Sequence, residues 1–322
     1  MKHVLALAAL ALCSALPSAH AAEPAYPSKP VRIIVGYAPG GGSDIMGRFI
    51  AQELTKSLGQ QMIVENRPGA AQNVAAEFVA RSPADGYTLF MSSAAHGINI
   101  SLYPKLNYHP IKDFTPIVMF AISPNLLLVH PSLPVKNLKE FLTFAQKNPG
   151  KLNYSSSGSG STQHLSGELL KLMGNIKVEH VPYKGSAPSM TALISGEVEF
   201  SFANIPSSLG YVEQGRLRAI AITSAKRSGL LPQLPTMNEA GLPGFETSTW
   251  YGLLGPAGMP NDVVTRINQT ANAAVKSPEV NKRLAQLGAD PVIENPQFFA
   301  NYLRQEIDRW AKVVKASGAK PE

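Results

Sequence analysis

Two rhythms of apolar and polar residues take turns along the chain. Short runs rich in β-branched and aromatic residues read as strands: "VRIIVGYA" (31–38), "QMIVENR" (61–67), "YTLFMSS" (87–93), "NLLLVH" (125–130) and "KLNYSSS" (151–157). The series continues with "KVEHVPY" (177–183), "VEFSFAN" (198–204), "LRAIAITS" (217–224) and "WYGLLGP" (250–256). Several are apolar at consecutive positions, the pattern of strands covered by helices on both faces. Between them the period lengthens to that of a helix. From Asp44 to Leu58, residues Ile45, Met46, Phe49, Ile50, Leu54 and Leu58 form one stripe, and Gly59 supplies a stop. From about Asp262 to Ser317 the pattern is helical almost throughout. This alternation predicts an α/β protein with right-handed crossovers and mainly parallel sheets.

Two stretches rich in proline or glycine break the rhythm, residues 113–135 and 234–260. Read as two crossings between domains, they divide the chain into one lobe of 27–123 plus 247–322 and a second lobe of 124–246. A single large sheet with long surface loops is the alternative organisation.

Three turns from strand to helix share one chemistry. "VGYAPGGGSD" carries consecutive glycines before the helix at Asp44, "YSSSGSGSTQHL" places Ser161 or Thr162 at a helix start, and "VPYKGSAPS" places Ser186 or Ala187 at another. The first N–H groups of a helix have no acceptor within it, and the dipole is positive there, so such turns suit anions. Hydroxyls surround them: Tyr37, Ser43, Ser156, Ser157, Ser161, Thr162, Tyr183 and Ser186. Charged side chains are few, so the chemistry is that of neutral donors holding a small carboxylate. Taken singly, each loop is equally well explained by glycine turning the chain and Ser or Thr capping a helix.

Other features limit the class. "MKHVLALAALALCSALPSAHAAEP" has a basic start, an apolar run and a small-residue site ending at Ala21, so residues 1–21 read as a cleaved secretory signal. The single cysteine, Cys13, falls within it, which leaves no disulfide or thiolate metal site downstream. The net charge of +7 comes without a concentrated basic stripe, which favours small anions over nucleic acid. There is no GxxxxGK[ST] phosphate loop, no GxSxG elbow, and no histidine spacing of a metal site. No cofactor is implied. A serine hydrolase acting through the 155–162 loop, with His164 close to Ser161, remains an alternative. Asp44 is explained by its place in a first helical turn, and Trp250 and Tyr251 by core packing. Lys184 fits a ligand carboxylate and open solvent equally well.

The motifs "YPSKPVRIIVGYAPGGGSD", "VENRPGA", "SPADGYTL", "YSSSGSGSTQHLSGELLK", "VPYKGSAPSMTALISGEVEFSFANIPS" and "GPAGMP" recur in order along nearly the whole chain. Through them the chain resembles the Bug family, the periplasmic solute receptors of tripartite tricarboxylate transporters. The resemblance implies a type II periplasmic binding protein, in which two α/β lobes joined by two crossing strands close on a ligand in the cleft. It also implies a small carboxylate ligand, membrane transporter subunits as partners, a monomer, and no enzymatic activity. Carried onto this chain, the first-lobe contacts would be Tyr37, Pro39, Gly40, Gly41, Ser43 and the loop Ser92–His96, which includes Ser93. The second lobe would add Ser156, Ser157, Ser161, Thr162, Lys184, Gly185, Ser186 and Ala187, with Asn204 nearby. Asn204 is neutral and cannot clamp an ammonium group, which puts plain carboxylates and aromatic acids ahead of amino acids. A receptor that signals to a sensor kinase is a third reading of the same features.

Overall fold

The computed structural model describes residues 26–321; the segment read as a signal peptide, with Cys13, lies outside the described residues. The strands are β1 (Val31–Val35), β2 (Met62–Asn66), β3 (Thr88–Ser93), β4 (Phe114–Val129) and β5 (Asn153–Ser156), then β6 (Glu179–Pro182), β7 (Phe200–Asn204), β8 (Arg218–Ile222), β9 (Ser248–Pro256) and β10 (Asp290–Pro291). The helices are α1 (Gly42–Leu58), α2 (Asn73–Ala80), α3 (Ala95–Leu102), α4 (Leu138–Lys147) and α5 (Thr162–Gly174), then α6 (Ser186–Ser195), α7 (Ile205–Glu213), α8 (Asn261–Lys276), α9 (Pro278–Gln286) and α10 (Pro296–Ser317).

The strands run in the order β2-β1-β3-β9-β4-β7-β5-β6, with β10 and β8 also paired to β4. One long strand joins the two halves. Residues 114–124 of β4 pair with β9, whereas residues 125–129 pair with β7 and β8. The second connection runs beside it, where Thr247 and Thr223 exchange hydrogen bonds just before β9 begins. The stretch 113–135, expected to interrupt the strand rhythm, is therefore mostly strand: Pro116 and Pro124 lie within β4, and the register shifts near Pro116.

The expectation of mainly parallel sheets holds only away from the crossing. β1 is parallel to β2 and β3, and β5 is parallel to β6 and β7, but every pair that includes β4 or β9 is antiparallel. A strand that serves both halves cannot match the direction of the βαβ units in each.

Each half buries both faces of its sheet. In the first, Met46, Ile50 and Leu54 of α1 and Ile267 and Ala271 of α8 cover one face, while Ala75 and Val79 of α2 and Phe299 and Leu303 of α10 cover the other. In the second, Leu127 and Val129 of β4 face the cluster with Phe141 of α4, and the alternate residues Leu126 and Leu128 face Met190 and Leu193 of α6. The predicted stop at Gly59 is in place as a left-handed C-cap of α1, and Gly196 ends α6 in the same conformation.

Candidate functional site

Four helix N-termini meet where the two halves face each other. The cleft there is lined by Gly41, Gly42 and Ser43 at the start of α1, Thr162 and Gln163 of α5, Ser186 of α6 and Asn204 before α7, together with Tyr37, Ser93, Ser157 and Thr249. None of these side chains is charged. Among the four N-termini only that of α5 has a side-chain cap, where Ser161 accepts from the His164 N–H; Gly41, Gly185 and Asn204 give α1, α6 and α7 no side-chain cap bond. First-turn residues of α1 (Gly42, Ser43), α5 (Thr162, Gln163) and α6 (Ser186) line this one space, where the helix dipoles are positive, and α7 reaches it through its N-cap Asn204. That space is ≈ 10 Å³, so the lobes are drawn together.

Direct contacts hold the lobes in this arrangement. The Ala38 N–H donates to the Lys184 carbonyl at 3.4 Å, the Tyr103 hydroxyl to the Ser159 carbonyl at 2.9 Å, and the hydroxyls of Thr162 and Thr249 bond each other. On the side of α10, Leu165 of α5 packs among Ile98, Leu102, Trp310 and Val314. Glycine is required at the closest approach. A Cβ on Gly42 would stand 2.3 Å from Asn204 Oδ1, and one on Gly160 2.3 Å from Asn99 Oδ1.

The serine and glycine loop is braced from beneath by two stacked imidazoles. His164 and His180 lie 4.1 Å apart between ring centroids; His164 Nδ1 accepts from the Gly160 N–H, and His180 Nε2 bonds Ser156 Oγ, which itself accepts from the Gly158 N–H. An Nδ1 that accepts is unprotonated. Burial lowers His164 to about 4, and burial, followed by the neighbouring His164 and Lys171, lowers His180 to about 2, so both are neutral near pH 7. In the first lobe, Asp44 accepts from the Gly40 N–H, Arg48 and Asn66. Burial pushes its carboxyl up, but those bonds outweigh it and hold the group below its ordinary value.

Of the residues singled out in the sequence, Tyr37, Gly41, Ser43, Ser93, Ser157, Thr162, Ser186 and Asn204 line the cleft. Pro39 and Gly40 are exposed at its rim, where Gly40 faces Ala187, and Gly185 abuts Ala38. Lys184 is exposed and meets the first lobe through its carbonyl. The hydroxyls of Ser156 and Ser161 turn inward to brace the loop and cap α5. This arrangement gives Ser161 the role of a cap and His164 that of a loop acceptor. Gly42, Gln163 and Thr249 also line the cleft and were not singled out. Gly42 belongs to the glycine run, but Thr249 carries no local signal, since only its pairing position beside the crossing brings it there.

Known proteins share this fold. Residues 46–319 match the family described as tripartite tricarboxylate transporter family receptor. The chain is 35% identical to the protein BugT of Bordetella pertussis over 99% of both chains. Among solved structures, it is similar to Rpa4515 of R. palustris with adipate, at 39% identity and a TM-score of 0.90, covering 92% of this chain and 100% of that one. It is also similar to MatC of Rhodopseudomonas palustris with bound malate, at 35% identity and a TM-score of 0.85, covering 90% of this chain and 100% of that one. With the match spanning most of the chain, this protein belongs to the tripartite tricarboxylate transporter receptors of Bug type, periplasmic solute-binding proteins of two α/β lobes.

Proposed function

We propose that the chain, exported by the segment 1–21, captures a small carboxylate in the periplasm by closing its lobes and delivers it to a tripartite transporter. The bodies that move are 27–123 plus 247–322 and 124–246, hinged where β4 passes from one sheet to the other. The observation that carries this reading is the convergence of three uncapped helix N-termini on a cleft without charged side chains. Such donors favour an anion with planar acceptors and give no counter-charge to an ammonium group. The relatives solved with adipate and malate support the same ligand class. The contacts are Tyr37, Gly41, Ser43, Ser93, Ser157, Thr162, Ser186 and Asn204, with Pro39, Gly40, Lys184, Gly185 and Ala187 at the rim and Ser156 and Ser161 holding the loop. Closure traps the ligand because only the closed form makes both sets of contacts.

A melting-temperature screen tests this. A ligand that binds only the folded form stabilises it by RT ln(1 + [L]/Kd), about 2.7 kcal/mol at a hundredfold excess over Kd. Dicarboxylates and aromatic acids are expected to raise the melting temperature and their amides to leave it unchanged. The same acids should reduce the radius of gyration in scattering and be recovered chemically intact. Stabilisation by the amides but not the acids would overturn the reading.

A further inference from the structure

The two lobes also meet through a contact that takes no part in the cleft. Leu165 of α5 is fully buried, packed among Ile98 and Leu102 of α3 and Trp310 and Val314 of α10. Among the described residues, Leu165 is the one member of that cluster from the second lobe; the partly buried Tyr103, Val313 and Ala319 around it also belong to the first. None of these residues lines the cleft. A knob on one body is thus seated in an apolar socket on the other.

The socket is part of the first lobe's own framework. α3 and α10 pack on each other, and Trp310 donates to Glu306 Oε2, which also accepts from Trp250 of β9, so its base is tied to the sheet. At its edge the Tyr103 hydroxyl reaches across to the Ser159 carbonyl at 2.9 Å. The knob stands in the first turn of α5, whose leading residues Thr162 and Gln163 face the cleft. One helix therefore carries an anion-facing end and, within the same turn, an apolar anchor.

From this geometry we infer that Leu165 and its socket are a latch that holds the lobes together independently of the ligand, and so sets the affinity of the receptor without touching what it binds. Parting the lobes exposes the Leu165 side chain and the socket to water, and closing removes both from it; such burial is non-directional and requires no particular ligand. A receptor that holds its ligand only when closed gains affinity in proportion to the stability of the closed form, by the same factor for every ligand. The inference rests on the reading of the chain as a receptor that closes on a carboxylate, and adds a share of the closing energy that lies outside the cleft.

Calorimetry with malonate, succinate and adipate, together with scattering from the unliganded chain, tests it. Leu165→Ala should weaken every acid that the wild-type chain binds by one common factor, about 10- to 100-fold. Val314→Ala, on the opposite lobe, should act in the same direction, and the double variant should lose less than the product of the two single losses, because both changes remove the same contact. Leu165→Asp suits the first turn of a helix but not an apolar socket, so it should increase the radius of gyration of the unliganded chain. A lowered melting temperature with affinity unchanged would show that the contact persists in the open form and would overturn the latch. Losses that differ from acid to acid, or that multiply in full in the double variant, would overturn it too. If no acid binds the folded wild-type chain, the carboxylate reading falls and scattering decides the latch: a larger radius of gyration in Leu165→Asp supports it, and an unchanged one overturns it.

Discussion

A single methyl group at Gly42 is expected to keep the cleft from closing without harming the fold. Gly42 is the first residue of α1, and an added Cβ there would lie 2.3 Å from Asn204 Oδ1 and 2.6 Å from its Cγ and Nδ2. Asn204 cannot swing aside freely, since it is 3% exposed and its Oδ1 accepts from Ser207 Oγ at 2.6 Å. The lobes must therefore stand about 1 Å further apart, or Asn204 must give up its rotamer; overpacking of this kind costs about 1–3 kcal/mol. If closure supplies half of the ligand contacts, that energy appears as a loss of affinity of about 5- to 150-fold. In the open form the two residues separate, and alanine is favoured over glycine in a helix by about 0.5–1 kcal/mol. The unliganded melting temperature should therefore hold or rise slightly. Calorimetry of Gly42→Ala with a bound acid, repeated in an Asn204→Ala background, separates the clash from any direct effect. With Asn204 shortened, the added methyl should cost less than about 0.5 kcal/mol. An unchanged Kd for Gly42→Ala, or the same loss in both backgrounds, would falsify the claim that this pair limits closure.

Acidification should weaken the fold. Burial depresses His96 and His164 to about 4 and His180 to about 2, so the unfolded chain takes up their protons first and stability is lost as pH falls from the ordinary histidine range toward those values. Each titrating group contributes a slope of up to about 1.4 kcal/mol per pH unit in that window. His164→Asn, which keeps an acceptor for the Gly160 N–H, should flatten the fall in melting temperature between pH 7 and 5, and an identical slope would contradict the assignment. Glu306 Oε2 accepts from the indole N–H groups of both Trp250 and Trp310 at 3.2 and 3.0 Å. Glu306→Leu leaves two buried donors unpaired and should cost about 2–4 kcal/mol in denaturant unfolding. Burial already raises the Glu306 carboxyl above its ordinary value, so Glu306→Gln, which keeps an acceptor oxygen, should lose markedly less; equal losses would rule out the hydrogen-bonding account.

What the sequence determined by itself was local. Strand and helix follow from apolar period, and the stop at Gly59 follows from the left-handed backbone that glycine adopts readily. The helix starts were legible to within two residues, at Asp44 against the observed Gly42, at Ser161 or Thr162 against Thr162, and at Ser186 or Ala187 against Ser186, because capping and turn chemistry act over a few residues. Family resemblance in the motifs supplied the two-lobe architecture that periodicity alone left open.

The tertiary structure decided how those pieces face one another. β4 runs through two prolines because pairing with β9, more than a hundred residues later, overrides their local effect. Thr249 and Asn204 reach the cleft only through strand register, and Ser156 leaves it because His180, on a neighbouring strand, takes its hydroxyl. The glycine run looked like an anion loop; in the closed form one of its members, Gly42, is also one of the places, with Gly160, where the lobes come closest. That contact has no signature in the sequence. It depends on the separation of surfaces brought together by long-range packing, which local propensity does not encode.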